Sequence, residues 1–259
     1  MKRVLTIAGS DSGGGAGIEA DIKTISALGA YACTAITAVT AQNTLGVKGV
    51  HTLPAEFVAL AIKTVLDDIG VDAIKLGMLA NEAIIRAAAA SLPANIPVVL
   101  DPVMVATSGA VLLEEGAIAA LRAKLLPRAT LVTPNLPEAA KLTGLPVGTE
   151  EERIAAGRAL IAMGAQAALV KGGHGDEDVL TDYLITADAV EAISLPRLRS
   201  TSTHGTGCTM ASAIATGLAQ NMSLFESVRR ARHYLQQAIR TAPGFGKGHG
   251  PVNHLVRWA

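Results

Sequence analysis

The chain has 259 residues, of which half are hydrophobic and only 3% aromatic, and its 22 Lys and Arg residues balance 22 Asp and Glu residues. The length fits one α/β domain spanning residues 1–259, and the balanced charge excludes bulk attraction to nucleic acid or an anionic membrane. Two cysteines are too few for a secreted disulfide framework, so we expect a cytoplasmic protein, and no apolar run approaches the ~18 residues of a transmembrane helix.

Short apolar runs alternate along the chain with longer segments of helical spacing, which predicts an alternation of strands and helices. In chain order, the predicted elements are a strand at residues 4–8, a turn at 13–17, a helix at 18–28, a strand at 31–39, a helix at 54–69, a strand at 73–76, a helix at 82–90, a strand at 97–100, a helix at 117–125, a strand at 130–132, helices at 137–142 and 151–163, a strand at 167–170, an antiparallel strand pair at 179–185 and 189–195, and helices at 209–219 and 224–238. This order predicts βαβ units and a mostly parallel sheet with helices on both faces.

Polar and glycine residues come directly after the predicted strands. They are the loop at residues 10–17, Gln42 with Asn43, Gly77 followed by Met78, Asp101, Asn135 with Glu138, Lys171, and residues 205–208. Because ligands bind beyond the carboxyl ends of strands in open α/β sheets, we expect these residues to meet at one sheet edge. Carboxylates, a lysine and glycine loops suit phosphoryl transfer, which needs a metal-binding carboxylate, a cation facing phosphate and preorganised N–H donors.

Residues 13–17 form a glycine-rich loop after the first predicted strand. A loose G-x-G-x-x-A match from Gly15 to Ala20 lacks the acidic residue about 20 positions later that dinucleotide-binding folds carry, which disfavours a nicotinamide oxidoreductase. The G-x-x-x-x-G-K-[ST] pattern of P-loop enzymes is also missing from the sequence. The loop is either a tight strand-to-helix turn or a place where the backbone closely approaches a small ligand.

A second glycine-rich loop, Gly205-Thr206-Gly207-Cys208, directly precedes an apolar helix. Free N–H groups at the positive end of a helix make an anion site, which a transferring phosphoryl group would suit. Cys208 would lie in the first helical turn, where the helix terminus lowers a thiol pKa and makes the thiol a candidate base for an alcohol. The alternative is a plain helix start in which Cys208 is a small buried hydrophobic residue.

Three further strand-end positions carry groups suited to phosphate chemistry. Asp101 could hold Mg²⁺ or could cap a turn, while the N-x-x-E spacing of Asn135 and Glu138 is also typical of a capping box. Lys171 ends a buried strand, so its ammonium group must reach solvent or meet an anion. The histidines lack metal-ligand spacing, and we expect solvent-facing side chains rather than zinc ligands at His174, His204 and His249.

An ordered set of segments resembles the ribokinase-like superfamily and, within it, the hydroxymethylpyrimidine/phosphomethylpyrimidine kinase family. The segments are residues 8–17 (AGSDSGGGAG), 40–44 (TAQNT), 101–104 (DPVM), 133–135 (TPN), 170–173 (VKGG), 204–209 (HGTGCT) and 248–251 (GHGP). Each motif alone is modest, but the ordered set is specific, and the match runs from Val4 nearly to Leu255.

The resemblance implies a ribokinase-like three-layer αβα sandwich and ATP-dependent phosphorylation of 4-amino-5-hydroxymethyl-2-methylpyrimidine, then of its monophosphate, in thiamine biosynthesis. It implies ATP and Mg²⁺ as cofactors and a homodimer. It assigns catalysis to Lys171, Gly205, Thr206, Gly207 and Cys208, substrate binding to Gly9, Ala16, Asp21, Gln42, Met78 and Val105, nucleotide binding to Asn135, Lys171 and Thr206, and magnesium binding to Asp101 and Glu138. A carboxamide offers donors and an acceptor to an aminopyrimidine edge, although Gln42 could instead be an ordinary polar strand-end residue.

Two positions depart from the family's pattern. Glu19 stands where glutamine is common, on a predicted helix where the change matters little. Thr107 stands where a lysine is frequent, in a loop that could cover the site, which puts in question how the monophosphate is held for the second transfer.

Two other functions stay open at this point. A vitamin B6 kinase would act on pyridoxal or pyridoxine, which also carry a ring-borne hydroxymethyl group, but Gln42 and Cys208 favour the pyrimidine. A non-catalytic ligand-binding protein on the same scaffold is disfavoured by Asp101, Lys171 and residues 205–208.

Overall fold

The computed structural model describes residues 1–105, 109–110, 112–114, 116–173 and 178–256, so Thr107 and His174 and the expectations attached to them lie outside the described residues. The strands are β1 (Arg3–Asp11), β2 (Tyr31–Asn43), β3 (Gly46–Thr52), β4 (Ala73–Leu76), β5 (Val98–Leu100), β6 (Leu131–Val132), β7 (Ala168–Val170), β8 (Val179–Ile185) and β9 (Val190–Pro196). The α-helices are α1 (Gly17–Ala27), α2 (Ala55–Asp68), α3 (Glu82–Ser91), α4 (Ala117–Ala120), α5 (Leu136–Thr143), α6 (Glu150–Ala162), α7 (Thr206–Ala219) and α8 (Leu224–Arg240).

All nine of these strands belong to one sheet, in the order β3-β2-β1-β4-β5-β6-β7-β8-β9. The six strands from β2 to β7 in this order run parallel, whereas β3, β8 and β9 pair antiparallel with their neighbours. From β1 the sheet grows first to β2 on one side and then to β4 on the other. This reversal creates a crevice at the carboxyl ends of the strands, where open α/β sheets bind their ligands.

Helices cover both faces of the sheet, which confirms the predicted three layers. On one face α2 and α3 bury aliphatic side chains such as Val58, Ile62 and Ile84 against the strands. On the other face α1, α7 and α8 bury Ile214 and Tyr234. Since aromatic residues are scarce, small and aliphatic side chains fill most of the core.

The structure differs from the predicted elements in several places. Strands β1 and β2 extend to Asp11 and Asn43 rather than ending at residues 8 and 39. Strand β3 was missed because its side chains are mostly exposed and give no apolar run. The predicted helix at residues 117–125 is α4 followed by a π-helical segment (Leu121–Leu125) and a 3-10 turn (Leu126–Arg128). Helix α7 begins at Thr206, three residues earlier than predicted, so the glycine loop runs directly into it.

Within the part of the chain that the structure describes, no helix combines the length and the apolar character that crossing a membrane requires.

Candidate active site

A cavity of about 620 Å³ opens at the carboxyl ends of the parallel strands. It collects nearly all the site residues that the sequence singled out. Those lining it are Gly9, Ala16, Gln42, Met78, Asp101, Val105, Asn135, Glu138, Lys171, Gly205, Thr206, Gly207 and Cys208. The predicted convergence at one sheet edge is therefore confirmed for these residues, while their individual roles stay predictions.

Asp21 does not line the cavity, and its predicted contact with a substrate is wrong for this structure. Its carboxylate is fully buried on α1, where it pairs with Lys75 Nζ at 2.8 and 3.0 Å. Thr6 Oγ1 and Ser212 Oγ also donate hydrogen bonds to it, at 2.5 and 2.7 Å. With these partners Asp21 is a structural anion between β1, β4 and α7 rather than a group presented to a ligand.

The backbone approaches closely where β1 ends, which explains the need for small residues there. A Cβ atom at Gly9 would lie 2.8 Å from the Met78 sulfur. Gly17 has φ +56°, and a Cβ there would lie 2.3 Å from the carbonyl oxygen of Gly9. Together with half-exposed Val105, these residues give one end of the cavity small and apolar walls suited to a flat ring.

Gln42 reaches this end of the cavity because β2 is irregular just before it. The pairing of β2 with β3 shifts register between Ala41 and Gln42, and such bulges re-aim the side chains that follow them. Ser12 then holds the backbone of Gln42, accepting from its N–H and donating to its carbonyl oxygen, both at 2.8 Å. The side-chain amide nitrogen lies 2.9 Å from His204 Nε2.

The first glycine loop binds its own carboxylate. Asp11 accepts hydrogen bonds from the N–H groups of Gly13, Gly15 and Ala16 at 2.8, 3.0 and 2.9 Å, and its Oδ2 lies 2.8 Å from His204 Nε2. Burial alone would raise the pKa of Asp11, but the hydrogen bonds from His204 and the backbone outweigh it and lower the pKa. These N–H groups are therefore engaged within the protein.

The second glycine loop directs the N-terminal end of α7 toward the cavity. Gly205 is the N-cap of α7 with φ +79°, and none of the described side chains caps this helix. A Cβ at Gly205 would lie 1.8 Å from the carbonyl oxygen of Gly15, so the two loops pack directly together. A 14-residue helix whose first turn faces the cavity without a cap provides the N–H donors and the dipole of an anion site.

Residues 250–254 brace this second loop from behind. The N–H of His204 donates to the carbonyl oxygen of Gly250 at 3.1 Å. Thr209 Oγ1 donates to the carbonyl oxygen of Gly205 at 2.8 Å and lies 3.0 Å from His254 Nε2. Burial lowers the pKa of His254 to about 4, so its ring is neutral and Nε2–H can donate to the threonine. The loop therefore depends on residues distant in sequence.

Cys208 lies in the first turn of α7 as predicted, but its expected low pKa is wrong. Burial raises the pKa of the thiol to about 11, although the positive charge of Lys75 opposes this. The residue as a whole is partly exposed, and its sulfur accepts a hydrogen bond from the N–H of Gly17. At neutral pH Cys208 is thus a protonated thiol at the cavity wall, neither a preformed thiolate nor a core residue.

Lys171 and Asp101 form an ion pair below the second loop. Lys171 Nζ lies 3.0 Å from Asp101 Oδ1, which also accepts from Thr133 Oγ1 at 3.1 Å. A Cβ at Gly207 would lie 3.3 Å from Asp101 Oδ2 and 3.5 Å from Lys171 Nζ. The ion pair therefore sits directly beside the uncapped helix end, where a cation can meet the phosphates of a ligand.

Asn135 and Glu138 form the capping box that the spacing also allowed. The N–H of Glu138 donates to Asn135 Oδ1 at 2.9 Å, and the N–H of Asn135 donates to Glu138 Oε2 at 2.8 Å. Burial, with the nearby Asp101 charge, raises the pKa of Glu138 to about 7, while Lys171 opposes the rise. A cation that enters the cavity would stabilise the ionised form of Glu138 and lower the pKa of its carboxyl group.

The carboxylates fit a magnesium site of the kind that substrates complete. No group of three or more His, Cys, Asp or Glu side chains that could hold a metal ion occurs among the described residues. Mg²⁺, however, typically takes one or two carboxylates together with water and substrate phosphates. Asp101 and Glu138 line the same cavity and supply the two carboxylates.

The comparisons with known proteins agree with this geometry. A family model described as phosphomethylpyrimidine kinase matches residues 11–253. The chain belongs to the phosphomethylpyrimidine kinase family.

Curated relatives share the sequence over its whole length. The hydroxymethylpyrimidine/phosphomethylpyrimidine kinase of Salmonella typhimurium is 47% identical, and the match covers 100% of both chains. A bifunctional thiamine biosynthesis protein, ThiED, of Geobacter sulfurreducens is 51% identical over 98% of this chain. This chain spans only 52% of that protein.

Solved structures place the kinase in the ribokinase-like fold. The pyridoxal kinase of Staphylococcus aureus in complex with AMP-PCP superposes with a TM-score of 0.91 at 37% identity, covering 98% of this chain and 94% of that chain. The predicted fold class is therefore confirmed.

The sequence missed several polar groups that lie in or near the kinase cavity. His204, expected to face solvent, is only 12% exposed and bonds Asp11. Lys75 is fully buried, and the only sequence signal for it was a lysine inside an apolar strand. Asp182 and Arg232 pair at 3.1 Å, and Asp182 accepts from the N–H of Gly172, next to Lys171. These two lie on β8 and α8, so neither had a strand-end position to signal it.

Proposed function

We propose that this protein transfers the γ-phosphoryl group of ATP to the hydroxymethyl group of 4-amino-5-hydroxymethyl-2-methylpyrimidine and then to the resulting monophosphate. One observation carries this proposal: Gln42 and the small apolar walls share a single cavity with the uncapped helix end and the Lys171–Asp101 pair. A ring-binding end and a phosphate-binding end in one cavity suit a small heteroaromatic alcohol. The names of the full-length relatives support the same substrate.

Nucleotide binding follows from the charged end of the cavity. Lys171 faces the phosphates, Thr206 and Gly207 offer N–H donors at the start of α7, and Asn135 lies beside them. The complexes of the pyridoxal kinase structure with AMP-PCP and with ADP support ATP as the phosphoryl donor. Asp101 and Glu138 would hold Mg²⁺, which neutralises charge on the phosphates when bound.

Cys208 acts on the hydroxyl group by position rather than as a strong base. A loose phosphoryl-transfer transition state leaves little covalent work to the protein, so orienting the attacking oxygen matters most. A protonated thiol at the cavity wall can hold the hydroxymethyl oxygen by a hydrogen bond without being ionised.

The first test is ADP release with Mg-ATP and, in separate reactions, the hydroxymethylpyrimidine, its monophosphate and pyridoxal. We expect turnover with both pyrimidines, and a Lys171→Met variant purified in parallel controls for contaminating kinases. Pyridoxal kinases among the structural neighbours make vitamin B6 phosphorylation the second candidate. Turnover with pyridoxal alone would move the function there and remove the role given to Gln42.

The role of Cys208 is tested by comparing Cys208→Ser with Cys208→Ala. If the side chain orients the hydroxyl group, serine preserves kcat within about tenfold while alanine lowers it by about 10². An unchanged kcat for Cys208→Ala would remove Cys208 from the reaction.

Coarser features of the protein complete the proposal. Residues 1–259 act as one domain, which the single nine-stranded sheet supports, and two free cysteines suit a cytoplasmic location.

The small-molecule kinase works as a homodimer, for which the exposed apolar side chains of Val50 and Phe57, on β3 and α2, offer a surface. Light scattering of the purified chain tests the dimer.

A further inference from the structure

The carboxamide of Gln42 is held by segments that are far apart in the sequence. Ser12 fixes the backbone of Gln42 through two hydrogen bonds, and His204 Nε2 lies 2.9 Å from its side-chain nitrogen. The amide therefore has a close polar neighbour before any ligand arrives. What it presents to the cavity depends on which of its two ends faces the imidazole.

The imidazole of His204 is itself fixed. Its Nε2 lies 2.8 Å from Asp11 Oδ2, and its peptide N–H donates to Gly250. A Cβ at Gly15 would lie 2.6 Å from His204 Cδ2, so the glycine lets the ring lie against the loop. With 12% of the side chain exposed, the ring has little freedom to turn away.

The hydrogen between His204 and Asp11 belongs to the histidine. Asp11 accepts three backbone N–H groups, and these bonds together with that from His204 lower the pKa of its carboxyl group against the effect of burial. An ionised carboxylate has no hydrogen to donate, so Nε2 must carry one. This holds for the neutral Nε2–H tautomer and for the imidazolium ion.

A protonated Nε2 cannot accept a hydrogen bond from Gln42. If the amide NH₂ group faced the imidazole at 2.9 Å, two hydrogen-bond donors would face each other without an acceptor between them. Rotation of the carboxamide by half a turn exchanges its oxygen and nitrogen within the same shape. We propose that His204, held by Asp11, is a positioning residue that fixes Gln42 with its NH₂ group toward the cavity and Oε1 toward the imidazole, where the single hydrogen on Nε2 is shared between Asp11 Oδ2 and Gln42 Oε1 in a three-centre hydrogen bond.

This orientation selects a substrate edge, an inference that rests on the proposed function. The fixed NH₂ donates to an unprotonated ring nitrogen, and the second lone pair of Oε1 accepts from an exocyclic amino group beside it. A ring that carries a formyl and a hydroxyl group on that edge, as pyridoxal does, needs a different pattern. A freely turning glutamine could serve both rings, whereas a fixed one favours the aminopyrimidine.

The proton position is measured directly on the ligand-free wild-type protein. Labelling with ¹⁵N-histidine and recording nitrogen–proton correlations reports whether His204 Nε2 carries a hydrogen at neutral pH, with His204→Gln used to assign the signal. We expect a protonated Nε2, and an Nε2 without hydrogen would overturn the proposal. Because this readout needs no substrate, it stands even if the proposed function fails.

The consequence for specificity is measured by steady-state kinetics. We expect His204→Phe to raise the KM for the hydroxymethylpyrimidine by about tenfold, because the amide of Gln42 loses the partner that fixes its orientation, with kcat and the KM for ATP little changed. The preference for the hydroxymethylpyrimidine over pyridoxal in kcat/KM then falls by a similar factor. His204→Gln, which places a donor at similar reach, restores part of the loss.

Gln42→Ala and the double variant with His204→Phe complete the cycle. If His204 acts through Gln42, the double variant is no worse than Gln42→Ala alone. Equal losses for both substrates, or fully additive losses, would show a general structural role for His204 and overturn the proposal.

Discussion

Two glycine-rich loops precede helices at the same edge of the sheet, yet they treat their N–H groups in opposite ways. In the loop at residues 13–17, three N–H groups point to Asp11. In the loop that begins at Gly205, the helix end receives no side-chain cap from the described residues. A glycine-rich loop before a helix therefore does not by itself mark a phosphate site. What distinguishes the second loop is that none of the described side chains accepts a capping hydrogen bond from its helix end.

The two loops also depend on each other. The close approach between Gly205 and the carbonyl oxygen of Gly15 makes the first loop a support for the second. The hydrogen bonds to Asp11 fix the first loop, and the second loop packs against it while its own N–H groups face the cavity. Four experiments test this difference between the two loops.

The largest effect is expected at the lysines beside the two loops. Lys171→Met should lower kcat/KM for ATP by about 10²–10³, because a preorganised charge on the transferring group is lost. Lys23→Met is the matched control, since Lys23 Nζ contacts the first loop at the carbonyl oxygen of Gly14, 2.6 Å away. Steady-state kinetics measure both, and similar losses would mean that the loops do not differ as described.

The second experiment distinguishes the backbone strain of a positive φ from close packing of the Cβ position, by comparing two glycines with the same φ. Gly205→Ala should lower kcat by about 10², because the loop must move by an ångström or more to admit a Cβ. Gly29 has the same φ of +79° but open space around the Cβ position. Gly29→Ala should therefore cost only about 1 kcal/mol of stability and no activity, and equal activity losses would contradict the close-packing argument.

A smaller effect concerns Asp11 and pH. Because folding lowers the pKa of Asp11 below its ordinary value of 3.8, its contribution to stability is present above pH 3.8 and is lost as the pH falls through the lower folded pKa. Asp11→Asn should lower the unfolding free energy by about 2 kcal/mol at pH 7, and this difference should shrink below pH 3.8. Urea unfolding measures both, with exposed Asp178→Asn as a neutral control.

The smallest effect is read by hydrogen exchange. Without ligand, the amides of Gly13, Gly15 and Ala16 should exchange more slowly than those of Gly207 and Cys208, because only the former donate to Asp11. Adding Mg-ADP should slow exchange at the second loop and leave the first unchanged. Protection of the first loop by nucleotide would show that it, too, binds phosphate.

The sequence located the site but not the bonds within it. Residues after parallel strands meet because of topology, which alternation alone predicts, and so Asp101 and Lys171 were placed correctly. Gln42 also lines the cavity, although it lies within β2. Partner choice depends on packing between distant segments. That is why Asp21, expected to bind substrate, pairs with Lys75 instead, and why His204, expected in solvent, bonds Asp11.

The pKa of Cys208 shows the same limit. Its place in the first helical turn was predicted, and a helix terminus lowers a thiol pKa in water. Burial depends on the walls of the cavity, which no local pattern encodes, and here it prevails. Strand β3 was missed for a related reason, because its exposed side chains leave no periodic signal.

The brace formed by residues 250–254 has a consequence for biosynthesis. Gly250 holds the backbone of His204, and His254 bonds Thr209, which in turn holds Gly205. These residues are among the last to be translated, so the second loop cannot be held in place until the chain is nearly complete. We expect a product truncated by a stop codon before Gly250 to lack a competent site.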